Sequence, residues 1–279
     1  MTWTLGISPC PNDTFAFHGL VHGLVPGAPQ VDVTYADIDV CNGYAKRGEL
    51  DIVKVSYGAL PWLLGQYRLL PTGGALGRGC GPLVLTRPDD AGNPRTDLRG
   101  ATVAVPGQET TAYLLFRLWA QDQGVADVRI MPFEKIMPAV AAGEVDAGLV
   151  IHESRFTYPG YGLVKMQDLG AWWETETGHA IPLGAILIRR SLGEEDARYA
   201  EAAIRSSVEL AWADPEATRG YVREHAQEMD DDVTRQHIEL YVNEFTHDLG
   251  EEGYAAVEEL LGRAQAAGLV PAPAGPIRG

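Results

Sequence analysis

The residues of this 279-residue chain able to do chemistry sit where apolar runs stop. Leu149-Val150-Ile151 leads directly into His152-Glu153-Ser154-Arg155. In an open α/β sheet ligands lie just beyond the carboxyl ends of the strands. Histidine is the side chain whose unperturbed pKa, about 6.5, lets it exchange a proton near neutrality. His152 is therefore the candidate base, against the plainer role of a histidine bonded under a loop. Glu153 is discounted as its orienter, because adjacent strand residues face opposite ways. Lys54 lies inside an otherwise apolar strand, so it is either at a sheet edge or aimed at an anion. Ser56, two residues on, shares its face. Pro106-Gly107-Gln108-Glu109-Thr110-Thr111 follows a strand and opens a helix. Its hydroxyls and free N–H groups can cradle an anion at the positive end of the helix dipole, or Thr110 can simply cap the helix. Asn12, Asn42, Arg78 and Arg155 fall at comparable strand ends and loops and complete the candidate binding set.

Other groups have simpler roles. His18 and His22 lie four apart on one helix face, but no HExxH pattern accompanies them. His179, His225, His237 and His247 read as surface or capping residues, and Trp172-Trp173 as a core corner. The glycine-dense stretch 73–81 carries neither GxGxxG nor GK[ST], so it reads as a turn or hinge rather than a nucleotide loop.

The elements that must position these groups alternate between strand and helix. Strands are expected at 2–8, 31–35, 51–55, 82–86, 101–105, 128–131, 149–151 and 183–188. Helices are expected at 14–23, capped by Asn12 or Asp13, then at 40–48, 110–121 and 135–142. From 194 onward the pattern is helical, at 195–213, 215–225, 231–245 and 251–267. This order predicts two α/β lobes with mixed, mostly parallel sheets and a helical C-terminal tail packed on the first lobe. The first lobe comprises 1–90 and 182–279 and the second 91–181, with crossings near 87–96 and 178–183. Small-molecule sites concentrate in such interlobe clefts.

Composition bounds the function. At 46% hydrophobic and 22% charged residues the chain can bury a core. Its net charge of -16 disfavours nucleic acid and anionic membrane surfaces, so an anionic ligand needs a local positive pole. The first residues lack a basic and apolar leader, and no run approaches the ~20 apolar residues of a membrane span. Cys10, Cys41 and Cys80 have no CxxC spacing and suit a reducing compartment. A cytoplasmic protein with a small-molecule anionic substrate is expected; oligomeric state is left open.

Several blocks occur together and in order: Ser8-Pro9-Cys10-Pro11-Asn12-Asp13-Thr14-Phe15, Lys54-Val55-Ser56-Tyr57, residues 73–79, Thr110-Thr111-Ala112-Tyr113, residues 151–159, Asp168-Leu169-Gly170-Ala171-Trp172-Trp173 and Pro182-Leu183-Gly184-Ala185-Ile186. Over essentially the whole chain they resemble the 1,4-dihydroxy-6-naphthoate synthase family of the futalosine route to menaquinone. The resemblance implies a type 2 periplasmic-binding-protein-like fold. It also implies a carbon–carbon lyase step without metal or redox cofactor, converting cyclic dehypoxanthinylfutalosine to 1,4-dihydroxy-6-naphthoate and dihydroxyacetone. The family's proton acceptor corresponds to His152, and its substrate-contacting segments to Lys54-Val55-Ser56 and Thr110-Thr111. Two alternatives share the fold: a solute-binding module for a small carboxylate, and the sister enzyme chorismate dehydratase, which matches these blocks less well.

Overall fold

The computed structural model describes residues 2–226 and 230–278. In chain order the elements are β1 (Thr2–Ile7), α1 (Pro11–Val21), β2 (Gln30–Tyr35), α2 (Ile38–Arg47), β3 (Ile52–Ser56), α3 (Leu60–Leu63), β4 (Tyr67–Gly77), β5 (Leu83–Thr86), β6 (Thr102–Val105), α4 (Thr111–Trp119), β7 (Asp127–Ile130), α5 (Phe133–Ala142), β8 (Ala147–Val150), α6 (Ser154–Thr157), β9 (Val164–Asp168), α7 (Leu169–Thr177) and β10 (Ile181–Arg189). The tail is α8 (Gly193–Ala213), α9 (Pro215–His225), α10 (Asp231–Tyr241), α11 (Glu244–His247) and α12 (Gly250–Ala266).

Two five-stranded sheets result, ordered β2-β1-β3-β10-β4 and β7-β6-β8-β5-β9. β1 joins β2 and β3 in parallel, and β6 joins β7 and β8 in parallel. β10 and β5 run antiparallel to both of their neighbours. Each sheet is thus half antiparallel rather than mostly parallel. The reason is topological, since β5 and β10 are the strands on which the chain enters one lobe and returns to the other.

That return moves the first crossing. β5 pairs only within the second sheet, so the chain changes lobes at 78–82, not at 87–96, and the boundary expected at residue 90 falls earlier. Residues 87–101 are an internal loop of the second lobe. The second crossing runs through α7 to β10, close to its expected place. Glycines 73, 74 and 77 belong to β4 rather than to a loop, and the β4–β10 ladder shifts register twice beside Gly184. β9 carried no sequence expectation.

Apolar packing follows the layers. Trp3, Leu5 and Ile7 of β1 bury against Phe17 and Leu20 of α1 and Ile204 and Val208 of α8. Leu85, Ile136 and Val140 fill the second lobe. A third cluster runs from Val55, Leu60 and Leu76 to Leu115, Phe116 and Trp173, so the lobes share apolar contact. The tail covers the first lobe, with α8, α9 and α10 against α1, α11 against β4 and α12 against β10. No helix among the described residues is long and apolar enough to cross a membrane.

The two crossings touch backbone to backbone. A Cβ on Gly81 would lie 2.3 Å from both Cα and N of Gly170, a distance only glycine permits. Gly81→Ala is expected to destabilise the fold by about 1–3 kcal/mol, the usual range for overpacking, as read by urea unfolding. Wild-type stability in that variant would show the crossings to be loosely packed.

Candidate active site

Between the lobes lie two adjoining spaces. An inner chamber of about 60 Å³ is lined from the first lobe by Ser8, Asn12, Lys54, Ser56 and Gly184, from the second by Thr110, Thr111 and His152, and by Tyr241 of α10. An outer vestibule of about 330 Å³ lies between Cys10 and residues 37–40 on one side and Pro106, 130–133 and 151–153 on the other. Ser8, Ile38, Thr110, Ile151 and His152 belong to both walls, so His152 stands at the threshold. The lobes are closed on the chamber, with Thr111 of the second bonded to Gly58 and Leu183 of the first.

The first-lobe wall is built around an ion pair. Lys54 and Asp13 are buried and bonded to one another. β3 is an interior strand, so Lys54 is not at a sheet edge; the anion it faces is Asp13. Asp13 also accepts from Ser8 N at 3.1 Å, Ser8 Oγ at 2.6 Å and Asn12 Nδ2 at 2.7 Å. This bonding replaces the expected capping role of Asn12 or Asp13. α1 instead starts at Pro11 behind Cys10, a place where proline's missing N–H costs no bond. Gly184 opposite makes room, since a Cβ there would sit 2.8 Å from Lys54 Cε. Ser56 shares the Lys54 face and is braced by Asn42, whose Oδ1 accepts from Ser56 N at 2.8 Å and whose Nδ2 donates to Ser56 Oγ at 3.3 Å. Asn42 therefore reaches the chamber only through Ser56. Val55 points to the opposite face, is fully buried, and belongs to the apolar core rather than to the site.

The second-lobe wall is the start of α4. Thr110 Oγ1 caps the helix by accepting from Tyr113 N at 3.1 Å, and it donates to Gly107 O at 3.0 Å. Thr111 Oγ1 accepts from Gly58 N at 3.0 Å and donates to Leu183 O at 2.8 Å, both in the first lobe. The two hydroxyls are committed in this closed form, one to capping and one to fastening the lobes. What faces the chamber is the N-terminal end of α4, with the positive pole of its dipole.

Arg78 and Arg155 lie outside both spaces. Arg78 bonds Gly178 O at 3.1 Å and Glu252 at 3.0 Å on the surface. Arg155 holds the 78–82 crossing, donating to the carbonyls of Gly79, at 2.8 Å, and Gly81, and it pairs with Asp168 at 2.9 Å. Loop carbonyls and a local carboxylate satisfy both guanidiniums, so the positive pole rests with α4.

His152 follows β8 in a left-handed backbone conformation, φ 53°, the single non-glycine residue at positive φ among those described. The strand has already ended at Val150, so alternation does not set Glu153 apart from it; Glu153 lines the vestibule beside it. The His152 ring meets Phe133 edge-on at 5.7 Å, and its Nδ1 lies 3.8 Å from Cys10 Sγ. Burial holds its pKa below the usual imidazole value, with Lys54 adding to the effect; Glu153, Asp13 and Asp37 oppose it. Burial first, and Glu153 second, push the Cys10 thiol well up, so it stays protonated.

Sequence reasoning missed Ser8, Cys10, Tyr241 and His237 here. His237 is not a surface residue but fully buried, its ring stacked on His152 at 6.0 Å and its Nε2 3.0 Å from Asn12 Oδ1. The Ser8 to Thr14 block was the available signal for the first two; nothing local marks α10.

A family model described as "Menaquinone biosynthesis" matches residues 3–266. A protein of Streptomyces coelicolor named 1,4-dihydroxy-6-naphtoate synthase is 64% identical, the match covering 97% of this chain and 95% of that one. A protein of Thermus thermophilus with the same name is 50% identical, over 96% of each. Among solved structures, the ligand-binding component of an ABC-type import system from Staphylococcus aureus superposes with a TM-score of 0.73 at 11% identity, covering 98% of this chain and 94% of that one. The expected periplasmic-binding-protein-like fold is the fold found.

Two predictions follow from the site. Removing one partner of a buried pair leaves an unpaired buried charge, so Asp13→Asn or Lys54→Met is expected to cost about 3–5 kcal/mol in urea unfolding. The double variant should cost less than the sum of the two; simple additivity would mean the pair is not coupled. Thr111→Val removes both interlobe bonds of the hydroxyl. Its radius of gyration in small-angle scattering, without ligand, should exceed that of the wild type, and equal radii would rule out a fastening role.

Proposed function

The chain belongs to the menaquinone biosynthesis family, and on that premise we propose that its interlobe chamber converts cyclic dehypoxanthinylfutalosine to 1,4-dihydroxy-6-naphthoate with release of dihydroxyacetone, His152 being the base. The reading is supported by one geometric observation: His152 and the α4 N-terminus of one lobe share a chamber with Ser8, Lys54 and Ser56 of the other. The step is a carbon–carbon lyase reaction. His152 removes a substrate proton, the bond to the three-carbon fragment breaks as its electrons move toward the ring system, and aromatisation drives the cleavage.

Each wall has a part. The substrate carboxylate lies at the α4 N-terminus, where backbone N–H groups of the first turn and the helix dipole supply the positive pole that the paired Lys54 does not. Ser8, Ser56 and Asn12 offer hydroxyl and amide partners to the oxygen-rich part of the substrate. The lobes part to admit the ligand and close over it, excluding water from the reacting carbon. The lowered pKa of His152 keeps the ring neutral, the form a base requires.

Purified protein incubated with cyclic dehypoxanthinylfutalosine and, separately, with chorismate should release 1,4-dihydroxy-6-naphthoate and dihydroxyacetone from the first only, by mass spectrometry. Binding without turnover, or dehydration of chorismate, would contradict the assignment. His152→Asn is expected to lower kcat by about 10²–10⁴ with the fold intact. The sign of the pH effect follows from the lowered pKa: activity is lost as pH falls through it, so the acid limb of kcat/KM should centre below 6.5. A limb centred at or above 6.5 would assign the titration to another group.

A further inference from the structure

The orientation of an imidazole base is usually fixed by a strong hydrogen bond at its second nitrogen. Among the described residues His152 has only the neutral Cys10 sulfur at 3.8 Å, and its backbone holds an uncommon conformation. What bounds the ring is aromatic packing: the edge of Phe133 from the second lobe, and the face of His237, 18° from parallel, from α10. We propose that His237 is a positioning residue for the reaction, a neutral ring fixed by Asn12 that holds the His152 imidazole in register with the chamber. The inference rests on His152 being the base and adds a second residue to that reading.

The hydrogen-bond logic fixes the state of His237. Asp13 accepts from its other partners, so the Asn12 atom facing it must be the Nδ2 donor. Asn12 Oδ1 is then left for His237 Nε2, which must carry the proton. Nδ1 is consequently the bare acceptor, and it is buried with no partner among the described residues. A second proton on this ring would face Lys54 from β3 and His152 from the β8–α6 loop; burial, then His152, then Lys54 hold its pKa well down. The groups around the pair are Asp13, reached through Asn12 on α1, Cys10 ahead of α1, Tyr241 on α10 itself at 4.5 Å, and Glu153 and Asp37 toward the vestibule. A neutral, singly tethered ring is a flat wall. It can remain beside His152 when that ring becomes an imidazolium during turnover, without adding a like charge.

Two substitutions separate ring from tether. His237→Gln can keep an N–H for Asn12 but removes the ring; His237→Phe keeps the ring and removes the N–H. The glutamine variant is expected to lose about 10–100-fold in kcat with KM little changed, the scale of a base displaced by up to about 1 Å. The phenylalanine variant should restore most of that kcat while KM rises through Asn12. Nitrogen-15 histidine spectra, with the residue-152 signal identified by its absence from His152→Asn, give a readout independent of turnover. In the glutamine variant the His152 midpoint should rise toward 6.5 and its tautomer become mixed; with phenylalanine both should match wild type. Unchanged kcat or unchanged His152 titration in the glutamine variant overturns the proposal. So does an equal loss in both variants that tracks the folded fraction. If wild-type protein fails to convert the substrate, the proposed function falls, and the spectra still decide the role of His237.

Discussion

The buried pair between Lys54 and Asp13 is the interaction on which the site depends. It joins the interior strand β3 to the first turn of α1, and Asp13 then fixes both Ser8 and Asn12. Through Asn12 the same network reaches His237 and so the face of His152. Two charges taken out of water are costly unless every remaining lone pair is used, and here Asp13 has three further donors. The chamber receives an ordered polar wall with no net charge from this pair. On the proposed reading an anion is then held by direction rather than by a free cation, at the α4 N-terminus.

The architecture explains how a ligand-binding fold can hold a reaction. Closure brings two walls together, and each supplies only part of what the chemistry needs. Closing accurately requires crossings that do not slide. Gly81 against Gly170, with Arg155 holding the carbonyls of Gly79 and Gly81, provides that stiffness. The positive φ of His152 costs of order 1–3 kcal/mol and persists because Phe133, Cys10 and His237 surround the ring.

Much of this was legible in the sequence, for a local reason. Strand-then-helix punctuation marks where side chains meet a cleft, and His152, Lys54, Ser56, Asn12, Thr110 and Thr111 all line the chamber. What such punctuation cannot carry is the partner. Arg78 and Arg155 had the right charge in the right kind of loop, but apart from Asp168, 13 residues from Arg155, their acceptors come from 74 to 174 residues away in sequence. Lys54 faced an anion as one alternative held, yet the anion was Asp13. Val55 was carried with its neighbours by block similarity, although alternation turns it into the core. His237 sits on a helix with acidic residues in its first turn and reads as a surface or capping residue; only tertiary packing, of α10 against α1 and β4 and of the ring against His152, buries it.

The central claim is that one substrate molecule is gripped from both lobes with residue 152 at the reacting carbon. The most direct measurement is a crystal structure of the His152→Asn protein soaked with cyclic dehypoxanthinylfutalosine. The account predicts the carboxylate at the N-terminus of α4, oxygen atoms within hydrogen-bond reach of Ser8 or Ser56, and the side chain of residue 152 facing the bond to the three-carbon fragment. A substrate held by one lobe alone, with residue 152 remote from that bond, would contradict it.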